Sequence, residues 1–339
     1  NPTVTAVEQA VAALEGARFG RAFGSGMAAI SAVLYTLLEP GDEVLLLGPL
    51  YGGTEALFSE ELPRLGVTSR HVSGDELEAG LAAGARMIYA ETPTNPTLAI
   101  HDLEQIGRLA RQHGALSVVD NTFATPWLTQ PITLGIDIVL HSATKYISGH
   151  GDAMGGVAVG PAELMQRVRM EGLRHMGGSL GRTESHLLLR GLKTLSLRME
   201  RQCHNTRVLA EHLAKHDLVE NVYWPGLKSH PGHETAARQM RDFGAMLSVE
   251  LRGGREAAEL FLDNLRLFVQ AVSLGDVCSL ATHPASTTHQ LVDPAERGRL
   301  GVSEALVRLS VGIEDEQDLL ADVDQALAAV AARLPAAAL

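Results

Sequence analysis

Leu140-His141-Ser142-Ala143-Thr144-Lys145-Tyr146-Ile147-Ser148-Gly149-His150-Gly151-Asp152 continues an apolar run, Ile138-Val139-Leu140, into a glycine-rich loop that carries one lysine among hydroxyls. The apolar run reads as a buried strand of a parallel sheet. Open α/β sheets bind ligands at the carboxyl ends of their strands, so Lys145 leaves the sheet where chemistry is usually placed. Earlier in the chain, Leu116-Ser117-Val118-Val119 ends in the same way, at Asp120-Asn121-Thr122. A lysine and an aspartate at nearby strand ends are what a pyridoxal phosphate (PLP) site requires: an amine for the carbonyl and a carboxylate for the pyridinium nitrogen. Taken singly, each reads as well as a surface lysine or a capping aspartate. Together they carry the reading.

Working outward, Val4 to Leu14 has apolar residues at helical spacing. Ala22-Phe23-Gly24-Ser25-Gly26-Met27 then opens a second helical pattern, Ala28 to Leu38, stopped by Pro40-Gly41. A Ser-Gly turn at a helix start offers free N–H groups and the positive end of the helix dipole, which suits a phosphate. Gly24-x-Gly26-x-x-Ala29, with Asp42 and Glu43 downstream, also matches a degenerate dinucleotide fingerprint. Arg18 to Phe23 makes a poor buried strand for that purpose. Glu43 to Gly48 and Met87 to Ala90 read as further strands, Glu55 to Leu62 and Asp102 to Gln112 as helices, and Gly155 to Val159 as a strand after the lysine loop. Tyr51, among glycines at a strand end, can stack on a flat cofactor or act as an acid. Asn95, between prolines, sits in a restricted turn suited to holding a ligand.

This alternation predicts an α/β fold with a mostly parallel central sheet, helices on both faces and right-handed crossovers. From about Glu184 the texture changes. His186 to His216 reads as one long helix, Ala245 to Leu251 and Val307 to Val311 as strands, and Arg255 to Leu265 and Glu316 to Leu334 as helices. The expected domains are a cofactor-binding large domain at 1–185 and a smaller C-terminal α+β domain at 186–339, which includes the linking helix. His230-Pro231-Gly232-His233 resembles half a metal site with no second half, and reads as a loop; no metal is expected.

The 339 residues, 45% hydrophobic and 20% charged, give length for a two-domain globular chain. A net charge of −12 argues against nucleic acid or anionic membrane as main partners. No apolar run approaches the roughly 18 residues of a membrane span. Two cysteines, Cys203 and Cys278, form no disulfide framework, and a cytoplasmic setting is expected. The chain opens at Asn1-Pro2-Thr3 without a Met, and an N-terminal segment is expected to precede it.

Ser25-Gly26-Met27, Tyr51-Gly52-Gly53-Thr54, Glu91-Thr92-Pro93-Thr94-Asn95-Pro96, Val119-Asp120-Asn121-Thr122 and Ser142-Ala143-Thr144-Lys145-Tyr146 resemble the Cys/Met-metabolism family of PLP-dependent enzymes, of fold type I. So do Arg190-Gly191-Leu192-Lys193-Thr194-Leu195, Ser273-Leu274-Gly275, His283-Pro284-Ala285-Ser286 and Arg308-Leu309-Ser310-Val311-Gly312. The similarity runs in register from Asn1 to about Leu334. It implies PLP bound through Lys145, which would also shuttle protons, with Asp120 on the pyridine nitrogen and Tyr51 stacked on the ring. Ser25, Gly26, Met27, Ser142 and Thr144 would surround the phosphate. Arg308, with Asn95 and Ser273, would hold the carboxylate of an amino-acid substrate. The resemblance further implies a homotetramer, a dimer of dimers with active sites at the dimer interface. In members of the family a Tyr and an Arg just upstream of the Asn1-Pro2-Thr3 motif reach into the neighbouring subunit's phosphate site.

The implied reaction is elimination or replacement at Cγ of a sulfur or homoserine-type amino acid, with Lys145, Tyr51 and Asp120 as the catalytic residues. Val272 is apolar, as in methionine-cleaving members, where cystathionine-cleaving and cystathionine-forming members tend to carry a glutamate. Gly53 stands where methionine-cleaving members have cysteine and widens the expected pocket beside Tyr51; Arg174-His175 stands for their Lys-Asp. Elimination from methionine ranks first, then from cystathionine, then sulfhydrylation of an O-acylhomoserine. A nicotinamide dehydrogenase and a catalytically silent binding protein are the readings from other classes.

Overall fold

Strands β1 (Phe19–Phe23), β2 (Glu43–Leu47), β3 (Thr68–Val72), β4 (Met87–Glu91), β5 (Leu116–Asp120), β6 (Ile138–Ser142) and β7 (Gly156–Gly160) form one seven-stranded sheet in the order β1-β7-β6-β5-β4-β2-β3. From β6 to β3 the strands run parallel, while β7 is antiparallel to β6, and β1 is antiparallel to β7. In this computed structural model residues 1–290 and 292–334 are described. The chain divides into two compact units, Asn1–Thr94 with Ile100–Leu195 and Gln239–Arg241, and Asn95–Ala99 with Ser196–Arg238 and the chain from Asp242 onward.

In the first unit β4, β5, β6 and β7 are apolar nearly throughout because helices cover both sheet faces. Alternate residues feed two cores. Ile88, Ala90, Val119 and Val139 meet Val7 and Val11 of helix α1 (Pro2–Leu14), and Tyr89, Val118, Ile138 and Leu140 meet helix α2 (Gly26–Leu37). Ser25 caps α2, its backbone extended and its hydroxyl accepting the Ala28 N–H at 3.1 Å. The α2 interior is apolar on nearly every side, as befits a helix sunk against the sheet.

Three local expectations change. Phe19–Phe23 do form a strand, but an antiparallel one at the sheet edge, where half-buried Arg21 is tolerated. The helix expected at 55–62 is short α-helix Gly52–Ala56, a π-helical turn Leu57–Glu61 and a 3₁₀ turn Leu62–Leu65. Pro63 has no N–H to return to Ser59, which prevents a regular continuation. The helix expected at 186–216 is two, Arg182–Leu192 and Leu195–Leu213. Lys193 and Thr194 donate to Arg190 and Gly191 three residues back, which tightens the chain into a turn. The change of unit falls between Leu195 and Ser196, against the expected 185/186.

The second unit is α+β. Strands β8 (Val219–Tyr223), β9 (Met246–Leu251), β10 (Val269–Gln270), β11 (Leu280–Thr282) and β12 (Leu306–Ser310) lie in the order β10-β11-β12-β9-β8. Helices Gly254–Asn264 and Glu316–Arg333 cover it with Ala258, Phe261, Val323 and Leu327 in one core. Buried Asp322 accepts the N–H groups of Arg266, Leu267 and Phe268, so the acidic residue is fully engaged. Among the described residues no helix is long and apolar enough to cross a membrane.

Gly156 joins the end of β6 to the start of α2. It is paired with Ser142 on one side and Phe23 on the other, and a Cβ there would lie 2.1 Å from the Ser25 carbonyl oxygen. That oxygen belongs to main chain and cannot rotate away. Gly156→Ala is expected to cost about 1–3 kcal/mol, the usual penalty for overpacking. Thermal unfolding of the purified variant checks this, and an unchanged Tm would show that the α2 terminus yields freely.

Candidate active site

Three parallel strands end side by side, and each hands over polar residues. Glu91 closes β4, Asp120 closes β5 and Ser142 closes β6, with Glu91 opposite Asp120 and Asp120 opposite Leu140 in the register. All three side chains leave on the α2 face, because residues two apart on a strand share a face. The α2 terminus arrives there too. A Cβ on Gly26 would lie 3.1 Å from the Ser142 hydroxyl, so the glycine lets the helix start close against β6. Gly26 and Met27 occupy the first helical positions, whose N–H groups have no intrahelical acceptor.

The Asp120 carboxylate accepts the Thr122 N–H at 2.9 Å. Burial pushes its carboxyl above the ordinary aspartate value, against the hydrogen bonds from Thr122 and the charge of His141. The Thr122 hydroxyl in turn accepts the Ser142 N–H at 2.8 Å, so one threonine fixes the ends of β5 and β6 together. The lysine loop closes on itself: Lys145 N–H donates to Ser142, Gly149 N–H to Lys145, and Thr144 Oγ1 accepts the Gly155 N–H at 3.1 Å. The Thr144 hydroxyl thus ties the loop to the start of β7.

Tyr51 caps the helix Gly52–Ala56 with its ring about half exposed. Its N–H donates to both Glu91 carboxylate oxygens, at 3.0 and 3.1 Å. The widening expected from Gly53 is not found. A Cβ there would lie 2.8 Å from the Tyr51 ring and 3.1 Å from the Met27 sulfur, so the ring and the thioether already occupy that space.

In the second unit Arg308, on β12 and 2% exposed, donates to Asn95 Oδ1 at 3.0 Å and to the carbonyls of Val272 and Ser273 at 2.9 and 3.1 Å. The three residues expected to bind a substrate carboxylate are therefore one cluster. Ser273 joins through its main chain, which leaves the guanidinium plane set by three neutral oxygens.

Sequence reasoning passed over several groups. Glu91 was visible only as a letter in a motif, though a charged residue ending a buried strand is itself a signal. Glu15, Asn121 and His141 form a buried cluster on the other sheet face, with the Glu15 carboxylate 2.7 Å from His141 Nε2 and accepting from Asn121 Nδ2 at 2.8 Å. Burial holds the His101 ring down to about 4, and its Nε2 lies 2.6 Å from where a Cβ on Gly48 would stand. His230 and His233 hold their own loop, accepting from Gly232 N–H and bonding Pro225 O.

The dinucleotide reading fails on topology. That fingerprint needs a parallel strand feeding the glycine turn within a βαβ unit, whereas β1 is the antiparallel edge. Comparison with known proteins agrees with the alternative. The model of the family described as Cys/Met metabolism PLP-dependent enzyme matches residues 1–328. The L-methionine gamma-lyase of Pseudomonas putida is 50% identical over 335 residues, covering 98% of this chain and 84% of that one. The cystathionine gamma-lyase of Bacillus subtilis is 47% identical over 330 residues, covering 96% and 86%. The crystal structure of cystathionine gamma synthase from Xanthomonas oryzae pv. oryzae in complex with cystathionine superposes with a TM-score of 0.96 at 42% identity, covering 98% and 87%. The match over nearly the whole chain settles the family: the chain belongs to the Cys/Met metabolism family of PLP-dependent enzymes.

Proposed function

We propose that this protein eliminates the γ-substituent of L-methionine, taking up water and releasing methanethiol, 2-oxobutyrate and ammonia, and that it works as a homotetramer in the cytoplasm. The residues present fit the cofactor. The α2 start presents the Gly26 and Met27 N–H groups, which have no intrahelical acceptor, to a phosphate, and Asp120 is a desolvated carboxylate that a protonated ring nitrogen would satisfy. The chemistry supplied by bound PLP is carbonyl condensation with an amine and a ring that accepts charge.

In this reading the Gly26 and Met27 N–H groups and the Ser25 and Ser142 hydroxyls hold the phosphate. Thr144 keeps the lysine loop in place beside them. Asp120, oriented by Thr122, holds the proton on the ring nitrogen. Lys145 Nζ accepts the proton from the substrate Cα and returns it further along the chain of steps. Tyr51 lies on the ring, and its hydroxyl gives a proton to the departing sulfur. Arg308, with Asn95 and the Ser273 carbonyl, orients the substrate carboxylate bidentately.

The observation that carries the choice of substrate is Val272. Its carbonyl holds Arg308, so the side chain next to the proposed carboxylate anchor is an exposed, uncharged valine. Methionine ends in a thioether that this surface accepts. Cystathionine ends in a second charged head, for which Val272 supplies no partner. The names of the similar proteins point the same way, with cystathionine as the next reading.

Lys145→Ala is expected to abolish nearly all turnover while leaving the fold intact. Borohydride reduction of the holoenzyme followed by peptide mapping checks the residue directly, and a label on another lysine would displace Lys145 from its role. Asp120→Asn should keep the cofactor but lose rate on the order of 10²-fold or more, because a neutral amide cannot hold the ring nitrogen protonated; single-turnover kinetics at the wild-type rate would contradict this. For substrate, kcat/KM is to be measured on methionine, cystathionine and O-acetylhomoserine, with and without sulfide. Methionine is expected to be cleaved without added sulfide, with homocysteine also accepted. A clear preference for cystathionine, or turnover only with sulfide, would overturn the choice.

A further inference from the structure

The proposed mechanism leaves one buried carboxylate on the cofactor face unused. Glu91 ends β4 as Asp120 ends β5, and the two are register partners. Such partners project to the same face at a strand spacing of about 4.8 Å. Glu91 is only 7% exposed. Two carboxylates so placed do not both ionise, because repulsion in a poorly solvated setting makes one keep its proton. The charges that bear most on Glu91 are those of Asp120 from β5 and Glu55 from the helix Gly52–Ala56, and Tyr89 lies on the same face of its own strand. Burial, and after it the charge of Asp120, push the Glu91 carboxyl well above its ordinary value. Asp120, by contrast, has the Thr122 hydrogen bonds and the charge of His141 on its side, so it is the member that ionises. Glu91 spends its oxygens on the Tyr51 N–H.

We propose that Glu91 is a positioning residue for the reaction: as a neutral acid it ties the Tyr51 main chain to the end of β4, beside the β5 end that carries Asp120. The proton donor at the leaving group and the carboxylate at the ring nitrogen then keep one geometry, whatever the substrate does. This rests on the roles given above to Tyr51 and Asp120.

Two variants separate the neutral acid from a mere filler. Glu91→Gln keeps a carbonyl for the Tyr51 N–H and offers an amide N–H in place of the O–H of a protonated glutamate. Glu91→Ala removes both. The first readout uses protein freed of cofactor. A folded-state value above the unfolded one means stability that is whole below the unfolded carboxyl value and is lost as pH rises toward the folded one. The Tm of Glu91→Gln should therefore match wild type near pH 4.5 and exceed it by about 3 °C or more at pH 8. The second readout is steady-state kinetics of the holoenzyme on methionine and cystathionine. Glu91→Gln should keep kcat within about fivefold, and Glu91→Ala should lose kcat on the order of 10²-fold with KM little changed. A Tm gap that does not vary with pH, a Gln variant as slow as the Ala variant, or an Ala variant as fast as wild type would each overturn the proposal. Failure of wild type to cleave either substrate would strike instead at the proposed function, and the cofactor-free Tm series would still judge Glu91.

Discussion

The register of β4, β5 and β6 is the constraint from which the site follows. Side chains alternate along a strand, so a slip of one residue would turn Glu91 or Asp120 to the opposite sheet face and bring valine or alanine in its place. The antiparallel turn into β7 extends that register. Gly156 falls opposite Ser142, Phe23 opposite Gly156, and α2 begins three residues later. A helix terminus, a serine and an aspartate reach one sheet edge because a continuous ladder of main-chain hydrogen bonds admits no other alignment.

The same alternation explains the polar cluster on the far face. His141 lies between Leu140 and Ser142, and Asn121 follows Asp120, so both are turned to the face opposite Asp120 and Ser142. They meet Glu15, just past the end of α1, in a wholly buried set. A pair of this kind adds little net stability when intact and costs several kcal/mol when one partner is lost. Its effect is positional. It pins the first helix to the ends of β5 and β6, and the His141 charge acts on Asp120 from behind. The Asp120 carboxylate, proposed to meet the ring nitrogen, is thus framed from both faces, by Thr122 and Glu91 on one and His141 on the other.

Much of this was legible because buried parallel strands have a plain signature: short apolar runs that stop at polar residues. Lys145, Asp120 and Tyr51 were placed at strand ends on that basis, and the motif resemblance supplied the partners. What escaped was whatever depends on pairing across strands rather than along them. Arg18 to Phe23 looks unsuited to a buried strand, yet Phe19–Phe23 form one at the sheet edge, where Arg21 needs only to be half-buried. Glu91 reads as an ordinary acidic residue until Asp120 is set beside it. Gly53 reads as open space until the Tyr51 ring is found lying over it.

Arg308 shows how specificity can rest on neutral groups. Its guanidinium is held by an amide oxygen and two carbonyls. A carboxylate arriving at the proposed anchor therefore meets a cation already oriented and bears little of the ordering cost. The carbonyl of Val272 is one of those fixings, so the residue that steadies the anchor also sets the surface beside it. Placing an acid at 272 would introduce a charge that Arg308 itself could attract, in competition with the substrate. On the proposed reading, an apolar residue there serves two ends: it leaves the anchor to the α-carboxylate, and it gives a second charged head nothing to pair with.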